Sequence, residues 1–296
     1  FRSDCHAKRS DELLHIKDPA LLDREVRHIM DARFPGWDEA VYHRAFSDVN
    51  ALYAGRYPGY QASNAAYHDR DHTLAVLLAM ARLLHGLAAE HPDVTPRLAL
   101  IGLMAALLHD VGYIQEEGDP GNGAKYTAVH VDRSIAFMRG YLPQLGFSEA
   151  ETADCAAMIR ITDLDMEVAD VPFSSEPVRL VANALGSADV LGQMADDLYV
   201  EKLPRLYEEF EVAGIDDFKS EYDLLKKTVG FYRFMRFRLE HHLGGVAGAL
   251  RLHFRERHGC DRDLYAEYAH KNVEYLDHVL TAHGEAYSDL LRRRAG

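Results

Sequence analysis

Cysteine is scarce in this chain, and its placement excludes two ways of building a protein. Cys5, Cys155 and Cys260 are scattered and odd in number, so neither a disulfide framework nor a Cys-rich structural zinc module fits, and a reducing compartment is expected. Cys155 and Cys260 read as small packed core residues. Long apolar runs are missing too. The best stretches, 74–84 and 98–108, are broken by Arg82 or end on His109-Asp110, so they read as buried helices rather than membrane spans. The visible N-terminus, which begins at Phe1, lacks the basic, apolar and small-residue regions of a secretory signal, and the expected location is cytoplasmic. Repeats, low-complexity tracts and alternating β-type runs are absent or few. Positive charge is short: 33 Lys and Arg against 47 Asp and Glu give a net charge of −14. Long-range attraction to nucleic acid or to an anionic membrane is thereby excluded. A small phosphate-bearing substrate remains open, provided its charge is met locally by metal ions and a few placed cations.

What is present is helical periodicity. The 296 residues, 48% hydrophobic and 27% charged, suit a soluble globular protein with a well-developed core. The pattern predicts an all-α fold and a single helical domain over 1–296. Helices are expected over about 18–31, 37–53, 72–87, 97–111, 127–141, from Ser148, and over 178–199. Amphipathic helices then run to about Arg294, separated near 213–217, 244–248 and 258–263. Thr95-Pro96 and the Ser148–Glu151 capping box mark helix starts. The stretch 116–123 is a loop by composition. The acidic segment 207–217 reads as a solvated face and turn, and His241-His242 as a partly exposed helical pair. Tyr199, Tyr207, Phe210 and Tyr222 are either core residues or walls of a pocket.

Chemistry concentrates where polar residues interrupt apolar helices. His72 starts one such helix, His109 and Asp110 end the most apolar one, and Asp189 is flanked by Ala184, Leu185, Ala188 and Leu191. A buried carboxylate is costly unless it is paired or bound to a metal. Acid and imidazole groups on three separate buried helices therefore call for a common partner, and a divalent cation is the simplest. Imidazole with carboxylate suits Zn, Fe, Mn or Ni and permits Mg. His68, four residues before His72, shares its face if the helix already includes both. His130 reads equally as ligand or surface residue. Lys125, on the glycine-rich loop, and Arg160 read as surface groups or as contacts to a substrate phosphate, Lys125 on a candidate lid.

The ordered set His72, Leu107-Leu108-His109-Asp110-Val111-Gly112 and Ala188-Asp189-Val190 resembles the H…HD…D pattern of the HD superfamily of metal-dependent phosphohydrolases. Tyr67-His68-Asp69-Arg70-Asp71-His72 is similar to the Tyr-His-Asn-x-x-His signature of cyclic nucleotide phosphodiesterases. The resemblance covers roughly 67–190. It implies an HD helical bundle over about 60–200 with a C-terminal helical extension over 201–296, and one or two divalent metal ions. His72, His109, Asp110 and Asp189 would bind the first, and Asp110 would bridge to a second near His130. His68 matches the general acid of the phosphodiesterases. Three positions depart from the family patterns. Asp69 stands for Asn, Tyr113 stands where the phosphodiesterases have a further His, and Arg160, Thr162 and Asp163 occupy the neighbourhood of a later His-His pair. The expected activity is hydrolysis of a phosphoester, of a nucleotide or cyclic nucleotide, by metal-activated water. The alternatives are an HD-fold di-iron oxygenase and a nucleotide-binding signalling module without turnover.

Overall fold

The computed structural model describes residues 12–287 and residue 291; Cys5 and the expected helical end near Arg294 lie outside them. Among the described residues the α-helices follow one another as α1 (Pro19–Arg33), α2 (Glu39–Tyr53), α3 (Arg70–Leu87), α4 (Pro96–Leu108), α5 (His130–Tyr141), α6 (Glu149–Arg160), α7 (Glu176–Met194), α8 (Tyr199–Ala213), α9 (Glu221–Phe237), α10 (Ala249–His258) and α11 (Leu264–His283). Among the described residues there are two isolated bridges, Ala54 with Ala62 and Tyr60 with Glu116, and no strand. The class is all-α.

Local chemistry sets most boundaries. Asp18 caps α1 by accepting from the amides of Ala20 and Leu21, with Pro19 in the first turn. Asp69 caps α3 through the amide of His72, 2.9 Å away. Thr95 with Pro96 starts α4, and the Ser148–Glu151 capping box is complete at α6. Two expected helices are shorter than their periodicity implies. Residues 123–129 form a 3-10 turn, so α5 begins only at His130. The apolar stretch 178–199 breaks after Met194, because Asn272 donates to the carbonyls of Met194 (2.9 Å) and Asp196 (2.7 Å). The Asp196 carboxylate also accepts from the amide of Leu198 at 3.0 Å. These partners satisfy groups that a continuous helix would have bonded internally, and they let α8 start in a new direction.

The core has two parts that share one helix. In α4 every residue from Ala99 to Leu108 is buried, and α3 packs against α7, α10, α1 and α4. On α7, Leu185, Ala188 and Leu191 face this main cluster, while Val190 and Met194 face a second cluster built from α8, α9 and α11. Burial of these side chains contributes roughly 1.5–3 kcal/mol each before ordering costs. Cys155 and Cys260 are both buried, as expected of packed core residues.

Where α3 meets α10 the core contains an acid-sensitive pair. His85 and His253 cross edge to face, with ring centroids 4.9 Å apart, and both are buried. Neither ring nitrogen of His253 has a hydrogen-bond partner. Burial, reinforced by Arg33 and Arg257, depresses His85 to about 4; burial and Arg82 push His253 well below the usual imidazole range. A histidine that is harder to protonate when folded adds stability above its unfolded value, near 6.5, and loses it as pH falls through the folded value. The urea midpoint should therefore fall more steeply between pH 6.5 and 4 in the native chain than in His253→Phe. Parallel pH dependences would show that the pair carries no linkage.

Candidate metal centre and its cavity

Three elements deliver the central residues. α4 ends by placing His109 and Asp110 beyond its last apolar turn, α3 begins with His72 in its first turn, and α7 presents Asp189 at the seam between the two core clusters. His72 Nε2 lies 3.2 Å from His109 Nε2, 3.1 Å from Asp110 Oδ2 and 3.3 Å from Asp189 Oδ1. His109 Nε2 lies 3.2 Å from Asp110 Oδ2 and 3.7 Å from Asp189 Oδ1. All but Asp189 are nearly fully buried, and Asp189 opens onto a cavity.

The pattern of protons shows what this arrangement suits. His109 Nδ1 lies 2.9 Å from the Ala106 carbonyl, which can only accept, so Nδ1 carries the proton. In the neutral ring Nε2 is then a lone pair facing the cluster. His130 repeats the device: Nδ1 donates to the Thr127 carbonyl at 2.6 Å, and Nε2 lies 3.6 Å from Asp110 Oδ1. Imidazoles anchored through one nitrogen and presenting the other are the usual form of metal-ligating histidine. Asp110 Oδ2, buried between two imidazole nitrogens, makes no hydrogen bond, a condition that is costly unless another partner binds there.

The electrostatics agree. Burial opposes charging of His72, but the carboxylates of Asp110 and Asp189 facing it outweigh this and push His72 up to about 10. His109 is raised for the same reason, its burial overcome by Asp110. Despite burial, Asp110 is held well below the usual carboxylate range by His109 and His72, and Asp189 is lowered chiefly by His72. His130 moves the other way, lowered by burial although Asp110 opposes this. His72, His109 and Asp110 form a buried group that could hold a metal ion.

His68 lies before the cap of α3, not on the helix, so its position is set by tertiary contacts. Its Nδ1 is 2.6 Å from Glu209 Oε2, and Glu209 Oε1 accepts from the amides of Tyr67 (2.7 Å) and His68 (3.2 Å). The His68 ring stacks on Tyr113 at 4.5 Å between centroids, and Tyr113 stacks in turn on His130 at 4.6 Å. The His68 and His130 rings also face each other at 6.2 Å between centroids, so the buried Tyr113 ring completes a three-ring cluster with them. Glu209 is buried, the exception in a 207–217 segment whose other acids, Glu208, Glu211, Asp216 and Asp217, are exposed as expected. Despite burial it is held below the usual range, chiefly by its bond to His68. Its spacing from Leu203 and Leu206, in steps of three, places it on the apolar stripe of α8, and that periodicity is the sequence signal that marks it as buried. Gln193 also escaped the sequence reading. It donates to Asp189 Oδ1 at 3.0 Å and accepts from the Tyr67 hydroxyl at 3.0 Å.

The remaining candidates separate. Arg160 lines the cavity and is paired with Asp132. Lys125 does not reach it: its ammonium is bound to Asp119 and, at 2.7 Å, to the Pro120 carbonyl within the same loop. The reading of Lys125 as a lid contact to phosphate is therefore withdrawn, since that charge is satisfied locally. Tyr199 and Phe210 line the cavity, whereas Tyr207 and Tyr222 do not. His241 is exposed and His242 partly so.

Gly112 locks the site's register. Its amide donates to Ser134 Oγ at 2.9 Å and its carbonyl accepts from Arg133 Nε at 2.8 Å. A Cβ here would lie 2.0 Å from the backbone oxygen of His130, an atom that cannot rotate away. Gly112→Ala should cost about 2 kcal/mol or more by overpacking and lower the urea midpoint accordingly; a midpoint equal to that of the native chain would refute the close approach.

No model of a known protein family, no curated protein and no solved structure matches this chain.

Proposed function

We propose that the chain is a metal-dependent phosphohydrolase of the HD type, with His72, His109, Asp110 and Asp189 as ligands of one divalent cation. The observation that carries this reading is the convergence of these four side chains from three separate helical segments around the orphaned Asp110 Oδ2. Asp110 directs its other oxygen toward His130 Nε2, and this supports a second cation held by Asp110 and His130. When bound, such cations supply Lewis-acid polarisation of a phosphoryl group and acidification of water.

The chain's own residues have distinct tasks in this reading. The water oxygen bonds to phosphorus while the bond from phosphorus to the leaving oxygen breaks, its electron pair remaining on that oxygen. Asp189, open to the cavity, accepts the proton that the water loses. His68 donates a proton from Nε2 to the leaving oxygen. Glu209 is a positioning residue: by accepting from Nδ1 it fixes the ring and leaves Nε2 as the atom that acts, in the manner of the carboxylate partner of a catalytic histidine. Arg160 faces the cavity as a cation beside the reacting group. Products are a phosphate and an alcohol.

Purified chain should carry one to two equivalents of Mn, Fe, Zn, Ni or Mg by elemental analysis. His109→Ala/Asp110→Ala should lose them, together with turnover of nucleotides, cyclic nucleotides and phosphomonoesters. Retention of metal by the double variant refutes the ligand set. Two irons per chain with oxygen uptake would instead indicate an oxygenase.

The role of Glu209 has a separate readout. Loss of a general acid typically costs 10²–10⁴-fold, but only where the leaving oxygen needs a proton. Glu209→Gln and His68→Ala should thus lower kcat by about 100-fold on an alkyl phosphate and far less on p-nitrophenyl phosphate. Equal losses on both would assign Glu209 a purely structural part.

A further inference from the structure

The cavity that opens at the metal cluster is larger than phosphoryl chemistry alone needs, and its composition changes with distance from the cluster. Its volume is about 530 Å³. Asp110, Asp189, His68 and His130 line it, and so do Val190, Met194, Leu203, Leu206, Phe210 and Met235, which belong to or pack against the second core cluster. The polar side chains among these walls are already engaged. Thr162 and Thr228 donate to the carbonyls of Ile159 and Leu224, each at 2.9 Å within their own turns. Gln193 is held between Tyr67 and Asp189. Lys227 is bound to Asp223 at 2.9 Å and to the Asp217 carbonyl at 2.6 Å. Asp163 and Asp165 also line the cavity and oppose a second anionic group near the first.

The mouth carries apolar groups beside the exposed Asp132, Asp165 and Lys227. Val129, Leu164 and Phe231 line the cavity and remain 45%, 44% and 39% exposed. Outside it, Phe234, 48% exposed, packs on Phe231 with ring centroids 6.2 Å apart. Exposed apolar groups scattered singly mean little, but a contiguous set leading into a concave apolar site is the usual form of a surface that receives an apolar ligand.

We propose that the substrate is amphiphilic: a single phosphoryl group esterified to an apolar alcohol or phenol, whose hydrocarbon part fills the far cavity and enters across Phe231. The phosphoryl end of this inference rests on the phosphohydrolase reading; the apolar end rests on the cavity walls. A polyphosphate, which needs free cations, does not fit those walls.

The test uses alkylphosphonates from ethyl to decyl, whose carbon–phosphorus bond blocks hydrolysis, measured by calorimetry on the full chain with Mn²⁺. The matching alkyl and aryl phosphates serve as substrates, and AMP and glucose 6-phosphate as polar comparators. The Kd should fall about fourfold per added methylene until the cavity is filled, with kcat/KM following the same series. Phe231→Ser and Leu206→Gln should each flatten this slope, a ratio that is insensitive to partial loss of folded protein. A slope retained without any turnover keeps the apolar site and refutes the phosphohydrolase reading. A Kd independent of chain length, or tighter binding of the polar comparators, overturns this inference even if phosphoester hydrolysis is found.

Discussion

The structure is organised around a carboxylate oxygen that has nowhere else to go. Asp110 Oδ2 is buried between His72 Nε2 and His109 Nε2 and makes no hydrogen bond. An uncompensated charge in such a place costs several kcal/mol even after relaxation. The surrounding helices are arranged to compensate it: α4 stops there, α3 starts there, and α7 passes with Asp189 facing inward. Removing any one of them would leave the other groups buried without partners. Convergence on one point is thus a constraint on the packing of the whole bundle, beyond its meaning for chemistry.

A second level of order fixes the rings themselves. His68, His109 and His130 each donate from Nδ1, to Glu209, Ala106 and Thr127 respectively. Each therefore presents Nε2 as its remaining functional atom. Tyr113 stacks on both His68 and His130, whose rings also face each other at 6.2 Å between centroids, so the three rings hold one another in place. Glu209 reaches His68 from 141 residues away in the chain, coupling α8 to the start of α3. The C-terminal helices are in this way part of the site, because the α8 surface that supplies Glu209 also supplies Leu203, Leu206 and Phe210 to the cavity.

α7 explains how a charged cluster and an apolar cavity can be neighbours. Its one face belongs to the main core and the other to the second cluster, with Asp189 at the boundary. The cavity lies on the second side, where α8 and α9 do not close fully over Val190 and Met194. Polarity thus changes within a few ångströms, from carboxylates and imidazoles to methyl groups and phenyl rings. Such a gradient gives a site both a point of strong charge and a surface for an apolar group.

Several features were determined by sequence alone, because they depend on neighbours in the chain. The caps at Thr95 and Ser148, the all-round burial of α4, and the placing of His72, His109, Asp110 and Asp189 within or at the ends of apolar helices follow from helical spacing and from the cost of burying charge. The helix break at 195–198 and the short start of α5 did not, since Asn272 and a 3-10 turn override an apolar pattern that continues through both. Lys125 and Glu209 were misread for one reason: whether a charged side chain faces solvent depends on which partner lies beside it in space. Asp119 holds the first in its own loop, and His68 takes the second into the core. Periodicity reports which face of a helix is buried, whereas only the tertiary structure decides which distant group that face meets, and so which of the candidate residues make up the site.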